Sequence, residues 1–207
     1  MNRGILIVLS GPSGTGKDSI LQEMLMHRND IKVSVSCTTR KPRKGEVNSK
    51  DYFFVTEQEF DRMVKQNQML EWAKFCGNFY GTPKPEVEKL INSGINVILE
   101  IEVQGAKQII NSYPEVVSIF ILPPSINALR ERLEKRGLDS KKVVEERLLE
   151  SRREINLAYD YQYVVVNDNL KECARDILKI IDSEKMKTKY RKNIIEGVFN
   201  YERIIDR

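Results

Sequence analysis

Residues that bind metals or form disulfides are scarce in this chain. It has one histidine, His27, and three cysteines, Cys37, Cys76 and Cys173, which lie far apart. An odd number of widely spaced cysteines supports neither a disulfide framework nor a structural zinc site, so we expect free thiols. Long apolar runs are also lacking, and the chain starts directly with a predicted strand instead of a signal peptide. We therefore expect a cytoplasmic protein without a membrane partner.

Charge is balanced except near the C-terminus. The 207 residues are 31% charged and 41% hydrophobic, which is typical of a globular α/β domain. The net charge of +4 arises within residues 185–207, where seven Lys or Arg accompany three Asp or Glu. We interpret this basic tail as a solvated helix face, not as a nucleic-acid site. Apolar residues recur at Met186, Tyr190, Ile194 and Val198, which predicts packing on the body or on a second subunit, so both a monomer and a homodimer are possible.

The most informative stretch is a glycine-rich turn between a predicted strand and a predicted helix. Residues 5–9 form the unbroken apolar run of a strand buried on both faces, and residues 18–25 are predicted to be helical. The turn between them has the spacing G-x-x-x-x-G-K, in which backbone N–H groups bind phosphate oxygens and the lysine reaches the terminal phosphates. Its residues are Gly11, Pro12, Ser13, Gly14, Thr15, Gly16 and Lys17.

The position after the loop lysine departs from the usual pattern. A Ser or Thr commonly stands there and ligates Mg²⁺, whereas this chain has Asp18, with Ser19 one position later. A carboxylate is a good ligand for Mg²⁺, so Asp18 is the candidate metal ligand and Mg²⁺ the expected cofactor. A carboxylate beside a triphosphate is unfavourable unless the metal lies between them.

The predicted elements divide the chain into a core and two excursions. Short strands and a capped helix form a small α+β insertion at residues 36–82. Residues 125–159 contain two charged helices with several arginines, which is typical of a lid that closes over a phosphate site. The core, which contains the phosphate-binding loop (P-loop), comprises residues 1–35, 83–124 and 160–184. The basic tail comprises residues 185–207.

Charged side chains follow two of the predicted strands. Arg40 and Arg43 come shortly after a strand predicted over residues 31–37, and a guanidinium group binds phosphate bidentately. Glu100 and Glu102 lie on one face near the end of another strand. Buried carboxylates are costly unless they are paired or bind a metal, which indicates a site; helix capping is the alternative.

Several motifs in a fixed order resemble those of guanylate kinases, from residue 4 to about residue 184. They lie at residues 34–54, 71–73, 77–82, 99–105, 132–137 and 166–168. The resemblance implies a P-loop NTPase core with a parallel sheet flanked by helices, an α+β insertion that binds GMP, and a helical lid. It also implies Mg²⁺-dependent transfer of the γ-phosphoryl group of ATP to GMP or dGMP.

The resemblance further implies roles for individual residues. GMP would be bound by Ser36, Arg40, Arg43, Tyr52, Glu71, Tyr80, Thr82 and Glu100. ATP would be bound by the loop residues together with Asp18, Ser19, Arg132, Arg136 and Asn167. Lys17, Arg40, Arg136 and Arg147 would stabilise the transferred phosphoryl group. A carboxylate such as Glu71 accepts both N1–H and the 2-amino group of guanine, a pair that adenine lacks.

Other functions stay open. Lys17-Asp18-Ser19 resembles the loop of ribose 1,5-bisphosphokinases, although such enzymes do not need a guanine-reading set. A non-catalytic module that resembles guanylate kinases and binds proteins is a second alternative, but the intact glycines and lysine of the loop argue against it. Salt-dependent RNA binding that is lost on deletion of residues 185–207 would support a third, nucleic-acid-binding function.

Overall fold

The computed structural model describes residues 3–75, 77–135, 137 and 140–205. Its strands are β1 (Leu6–Ser10), β2 (Ile31–Val33), β3 (Cys37–Thr38), β4 (Phe53–Phe54), β5 (Met69–Phe75), β6 (Asn78–Pro83), β7 (Asn96–Glu100), β8 (Val117–Leu122) and β9 (Tyr163–Val166). Its α-helices are α1 (Lys17–His27), α2 (Glu57–Lys65), α3 (Lys84–Asn92), α4 (Val103–Ser112), α5 (Ile126–Lys135), α6 (Lys141–Asn156), α7 (Leu170–Lys185) and α8 (Lys192–Ile205). Short 3-10 turns lie at Leu157–Asp160 and Thr188–Tyr190.

A parallel sheet forms the core, in the order β2-β7-β1-β8-β9. The central strand β1 is buried along its whole length, and its side chains alternate between two apolar layers. Ile7 and Leu9 pack with residues of α1 and α7 on one face, whereas Leu6 and Val8 pack with residues of α3 and α4 on the other. The predicted α/β class is confirmed, and the carboxyl ends of the parallel strands share one edge.

A second, smaller sheet has the order β4-β3-β6-β5. Its β5–β6 hairpin turns at Gly77, as predicted. Thr56 and Glu59 form the predicted capping box at the start of α2, and Phe60 of that helix is buried beneath the sheet. The strand predicted over residues 31–37 is wrong as a single element, because β2 belongs to the first sheet and β3 to the second.

Helices α5 and α6 pack against each other through a small apolar cluster. Leu129 and Leu133 of α5 contact Val144 and Leu148 of α6. The two helices are separated near Gly137, as predicted, and Arg130 forms an ion pair with Glu145 across them. Arg136, which was predicted to bind ATP, lies outside the described residues.

The basic tail continues from α7 into the short turn before α8. Tyr190 packs against the core, but Ile194 and Val198 are 49% and 61% exposed. Met186 is also 61% exposed, so the prediction that the apolar residues pack on the body is wrong for these three, while packing on a second subunit stays a prediction. Part of the positive charge is paired, since Lys187 lies 2.8 Å from Glu184 and Lys189 3.3 Å from Glu115.

In the described part of the chain, every helix is too short or too polar to span a membrane.

Asn96 joins the sheet at the end opposite the site. Its fully buried amide accepts a hydrogen bond from Ile5 N–H (3.2 Å) and donates one to Asp30 Oδ2 (2.9 Å). In Asn96→Ala both partners would lose this contact inside the protein, so we expect a loss of about 1–3 kcal/mol in the free energy of unfolding. Urea denaturation measures it. Asn111→Ala, on the exposed side of α4, is the control, and equal effects of the two substitutions would contradict the expectation.

Candidate active site

The loop between β1 and α1 is tightly enclosed. Gly14 and Gly16 adopt left-handed backbone conformations, with φ of 90° and 88°. A Cβ atom at Gly14 would lie 2.9 Å from a methyl group of Leu133, and one at Gly16 would lie 2.9 Å from the amide nitrogen of Asn167. Both glycines are therefore required by conformation and by space. The loop is held between α5 and the end of β9, and it leads into the N-terminus of α1, where helix N–H groups favour anions.

Asn167 supports the loop from behind. Its side-chain amide donates to the carbonyl of Thr15 (2.6 Å), and its own backbone N–H donates to Leu122 O (2.8 Å). Arg132 of α5 in turn donates to Asn167 O (2.8 Å). Beside them lies an open depression of about 380 Å³, lined by Gly14, Gly16, Ser19, Arg132, Asn167 and Leu170 among others. The structure thus brings the two predicted ATP-binding residues Arg132 and Asn167 together with the loop.

Lys17 is folded back onto its own loop. Its ammonium group donates to Gly11 O (2.7 Å) and Pro12 O (3.3 Å). Burial lowers the pKa of Lys17, while the nearby carboxylates, above all Glu100 and Glu154, oppose this shift. The cation is therefore surrounded by negative charge and is held by two carbonyl groups in its resting position.

Asp18 and Glu100 face each other across the start of α1 and the end of β7. Asp18 is exposed, and its carboxyl group hydrogen-bonds Glu100. Burial raises the pKa of Glu100 to about 7, and the negative charge of Asp18 adds to the shift. Glu102 was predicted to lie on the same strand; this is wrong, because β7 ends at Glu100 and Glu102 is the residue that precedes α4.

A cavity of about 250 Å³ lies between the two sheets, next to the loop. Side chains from both sheets line it. Five of the lining residues belong to the set predicted to bind GMP, namely Ser36, Tyr52, Glu71, Tyr80 and Glu100, and Gly105 lines the cavity as well. The C-terminal end of β7 therefore brings Glu100 both to this cavity and to Asp18.

A buried carboxylate forms one wall of the cavity. Glu71 is 6% exposed, and its Oε1 accepts a hydrogen bond from the fully buried hydroxyl of Thr82 (2.7 Å). Burial raises the pKa of Glu71, and the hydrogen bond from Thr82 opposes this. The other oxygen, Oε2, lies where a side chain at residue 105 would be, since a Cβ atom at Gly105 would approach it to 2.4 Å. The side-chain amide of Gln108 on α4 donates to Trp72 O (2.8 Å) and accepts from Trp72 N–H (3.3 Å). These two hydrogen bonds tie β5 to the core.

The two predicted phosphate-binding arginines differ in their surroundings. Arg40 is enclosed: its guanidinium group stacks 5.4 Å from the centre of the Tyr52 ring and forms two hydrogen bonds with Glu46 (2.8 and 2.9 Å). It also hydrogen-bonds the side chain of Tyr80. Arg43 lies on the exposed turn that follows. An ordered arginine beside two tyrosines is suited to bind a phosphate at the mouth of the cavity.

Helix α6 brings two more charged side chains to the loop. Arg147 donates to the hydroxyl of Ser13 (3.2 Å), so a predicted catalytic arginine already touches the loop. Glu154 lies about two turns further along the same face of α6, where its charge interacts with those of Lys17 and Glu102. Burial raises the pKa of Glu154 to about 7.

Sequence reasoning missed three residues of the site, namely Glu46, Gly105 and Glu154. Gly105 lies in the predicted helix after Glu102, where an unexpected glycine signals close approach of another group. Glu46 stands three residues after Arg43 in a polar loop, and Glu154 is one of many charged residues of the predicted lid. Neither has a local signal that separates it from a solvated surface residue.

The fold and the site together define a P-loop nucleotide kinase: a parallel sheet whose first strand enters a phosphate-binding loop, with a second charged cavity beside it. A guanylate kinase family model matches residues 3–184. A guanylate kinase of Desulfitobacterium hafniense is 46% identical over 197 residues, which cover 95% of this chain and 98% of that protein. One of Wolbachia sp. subsp. Brugia malayi is 48% identical over 187 residues, covering 90% and 96%.

A solved structure agrees with these relatives. The crystal structure of guanylate kinase from Anaplasma phagocytophilum superposes with a TM-score of 0.74 at 37% identity and covers 96% of both chains. The chain belongs to the guanylate kinase family.

The raised pKa values predict how stability depends on pH. Glu100 and Glu154 have pKa values of about 7 in the folded protein against an ordinary value of 4.5. The folded state therefore binds protons that the unfolded state releases, and this contribution to stability is complete below pH 4.5 and lost as the pH rises to about 7. We expect the double variant Glu100→Gln/Glu154→Gln to lose less stability than the wild type over this range, because it lacks both titrating groups.

Urea denaturation at several pH values between 5 and 8 measures this difference. Glu131→Gln, on the exposed side of α5, is the control for removal of an acidic group. Parallel stability curves for the double variant and the wild type would show that these carboxyl groups titrate normally in the folded protein.

Proposed function

We propose that this protein transfers the γ-phosphoryl group of ATP to GMP or dGMP, giving ADP and GDP or dGDP. The observation that carries the proposal is the buried carboxyl group of Glu71, which accepts a hydrogen bond from Thr82 and lines a cavity together with Glu100, the partner of Asp18. Guanine presents N1–H and its 2-amino group side by side, and an ionised carboxylate accepts both. Adenine would leave the same carboxylate unpaired, which is costly in a buried site.

The remaining cavity residues supply the other contacts to GMP. Ser36 and Glu100 line the cavity and offer a hydroxyl and a carboxyl group to the base. Thr82 donates its hydroxyl to Glu71 and acts on the base through that carboxylate. Arg40 and Arg43, with the hydroxyl groups of Tyr52 and Tyr80, bind the phosphate of GMP. Because a phosphate needs positive charge on one side and guanine a carboxylate on the other, the two ends of GMP select a single orientation.

Phosphoryl transfer then depends on positioning and on charge. The attacking group is a phosphate oxygen that is already anionic at neutral pH, so the reaction needs no general base. Lys17 leaves the carbonyl groups of Gly11 and Pro12 and binds the terminal phosphates of ATP, while Arg147 and Arg136 approach from the lid. Residues 36–82 act as the GMP-binding part and residues 125–159 as the lid, with ATP in the depression beside Asn167.

The residues around Lys17 fit a magnesium ion. The carboxyl groups of Asp18 and Glu100 lie close together, which a divalent cation would relieve, and Asp18 is exposed beside the loop. Among the described residues, groups of three or more potential protein ligands are absent. Asp18 would therefore hold Mg²⁺ jointly with the phosphates of ATP, as is usual for this metal, and the ion would neutralise charge on the transferred group. We place the reaction in the cytoplasm.

A coupled assay of ADP release tests the proposed reaction. With Mg²⁺ and ATP, we expect rapid turnover of GMP and dGMP and little with AMP, UMP or ribose 1,5-bisphosphate. Lys17→Ala is the matched inactive control, since it removes the loop cation. Turnover of ribose 1,5-bisphosphate in preference to GMP would assign the protein to sugar-phosphate metabolism. Binding of GMP without turnover would indicate a recognition module.

Glu71→Gln tests the recognition of guanine by Glu71 separately from the contribution of Glu71 to folding. The glutamine carbonyl can still accept the hydrogen bond from Thr82, but its NH₂ group would meet the donors of guanine. We expect the ratio of kcat/KM for GMP to that for AMP to fall about 10- to 100-fold, since hydrogen bonds to a charged group contribute about 1.5–3 kcal/mol. Glu86→Gln on the exposed side of α3 is the control. An unchanged ratio would show that another residue reads the base.

A further inference from the structure

Glu46 joins the two arginines that are proposed to bind the phosphate of GMP. Its Oε1 accepts a hydrogen bond from Arg40 Nη2 (2.8 Å), and its Oε2 accepts one from Arg40 Nη1 (2.9 Å). The same Oε2 accepts the backbone N–H of Arg43 (2.6 Å). One carboxylate therefore holds the guanidinium plane of the first arginine and closes the turn that carries the second.

The Arg40–Glu46 pair is largely enclosed, although it lies in a loop. The side chains of Arg40 and Glu46 are only 14% and 20% exposed, although the segment that carries them is neither helix nor strand. The rings of Tyr52 and Phe54 lie 5.4 and 5.8 Å from the guanidinium carbon. The hydrogen bonds from Arg40 and from the N–H of Arg43 lower the pKa of Glu46 to about 2, so the carboxylate is ionised at neutral pH.

The hydrogen bonds of Arg40 determine which of its edges remains for a ligand. A guanidinium group has five N–H bonds. Those of Nη1 go to Glu46 and to the carbonyl of Lys41 (2.8 Å), and one of those of Nη2 goes to Glu46. The N–H of Nε and the second N–H of Nη2 form the edge that Glu46 and Lys41 do not occupy, and they point in the same direction. Tyr80, whose side chain also hydrogen-bonds Arg40, lines the cavity.

We propose that Glu46 is a positioning residue, which fixes the edge of Arg40 that faces the phosphate of GMP and holds the turn of Arg43 in place. The inference rests on the proposed function, because it takes GMP as the ligand of the cavity. A preorganised arginine loses little side-chain entropy when it binds a phosphate, so the acceptor is bound more tightly.

The direction in which GMP binding changes when Glu46 is removed separates positioning from two other roles. A carboxylate beside a phosphate site repels the ligand, and a carboxylate that occupies an arginine competes with it. If Glu46 acted in either of these ways, its removal would strengthen the binding of GMP. If Glu46 positions the arginines, its removal weakens binding, even though the site becomes more positive.

Glu46→Ala and Glu46→Gln test the inference, with calorimetric Kd values for GMP and for guanosine as the readout. We expect Kd for GMP to rise about 10- to 100-fold in Glu46→Ala and less in Glu46→Gln, which keeps one acceptor. Guanosine has no phosphate, so its Kd should change less than twofold, as should the KM for ATP. Glu57→Gln, on the exposed first turn of α2, is the matched control.

A double-mutant cycle tests whether Glu46 acts through Arg40. In an Arg40→Ala background, loss of Glu46 should raise Kd for GMP much less than it does in the wild type. Equal effects in both backgrounds, tighter GMP binding, or a parallel loss of guanosine binding would each overturn the inference. If the wild type itself binds no GMP, the proposed function fails and this inference with it; normal GMP binding by both Glu46 variants would overturn this inference alone.

Discussion

The turn from β1 into α1 is enclosed by β8, α5 and the end of β9, and the positions of the other functional groups follow from this. Ile121 of β8 approaches the loop so closely that a Cβ atom at Gly11 would lie 2.4 Å from its carbonyl oxygen. Leu133 and Asn167 enclose Gly14 and Gly16 in the same way. Because the loop cannot bend away, its N–H groups have fixed directions, which is the condition for binding phosphate without a large loss of entropy.

In the proposed function, selection of the base and binding of the phosphate would use opposite physical means. Glu71 is a buried carboxyl group, and a negative charge on it is costly until a partner with two donors binds. Arg40 is a positive charge already satisfied by Glu46, and it keeps an edge for the ligand. The first arrangement would penalise a wrong base, and the second would lower the cost of binding a correct phosphate. Glu71 lies in β5 of the small sheet, which the contact of Gln108 with Trp72 ties to the core, and Arg40 lies in the loop between β3 and β4 of the same sheet.

Local patterns predicted the elements that depend on local signals. The apolar run of β1, the capping box of α2 and the hairpin after Phe75 all have short-range sequence signals, and the structure has these elements at those places. The strand predicted over residues 31–37 was divided, because alternation of side chains looks the same in either sheet and does not reveal where the chain passes between them.

The parts of the site that could not be predicted are contacts. The family motifs pointed to the cavity residues, but Glu46 carries no periodic signal that distinguishes it from a solvated loop residue. In the tail, spacing identified the apolar face of α8 and said nothing about what covers it. Periodicity reports which side chains share a face, whereas pairing depends on the folded path of the chain.

The hydrogen bond from Asn167 to Thr15 spans 152 residues of sequence. During synthesis the loop leaves the ribosome well before the residue that supports it. A nascent chain that ends before β9 therefore lacks the amide that holds Thr15, and a chain that ends before β8 lacks a neighbour of β1 as well. The nucleotide site is thus completed only after β9 has been made, so the phosphate-binding loop acquires its shape when all five strands of the core sheet are present.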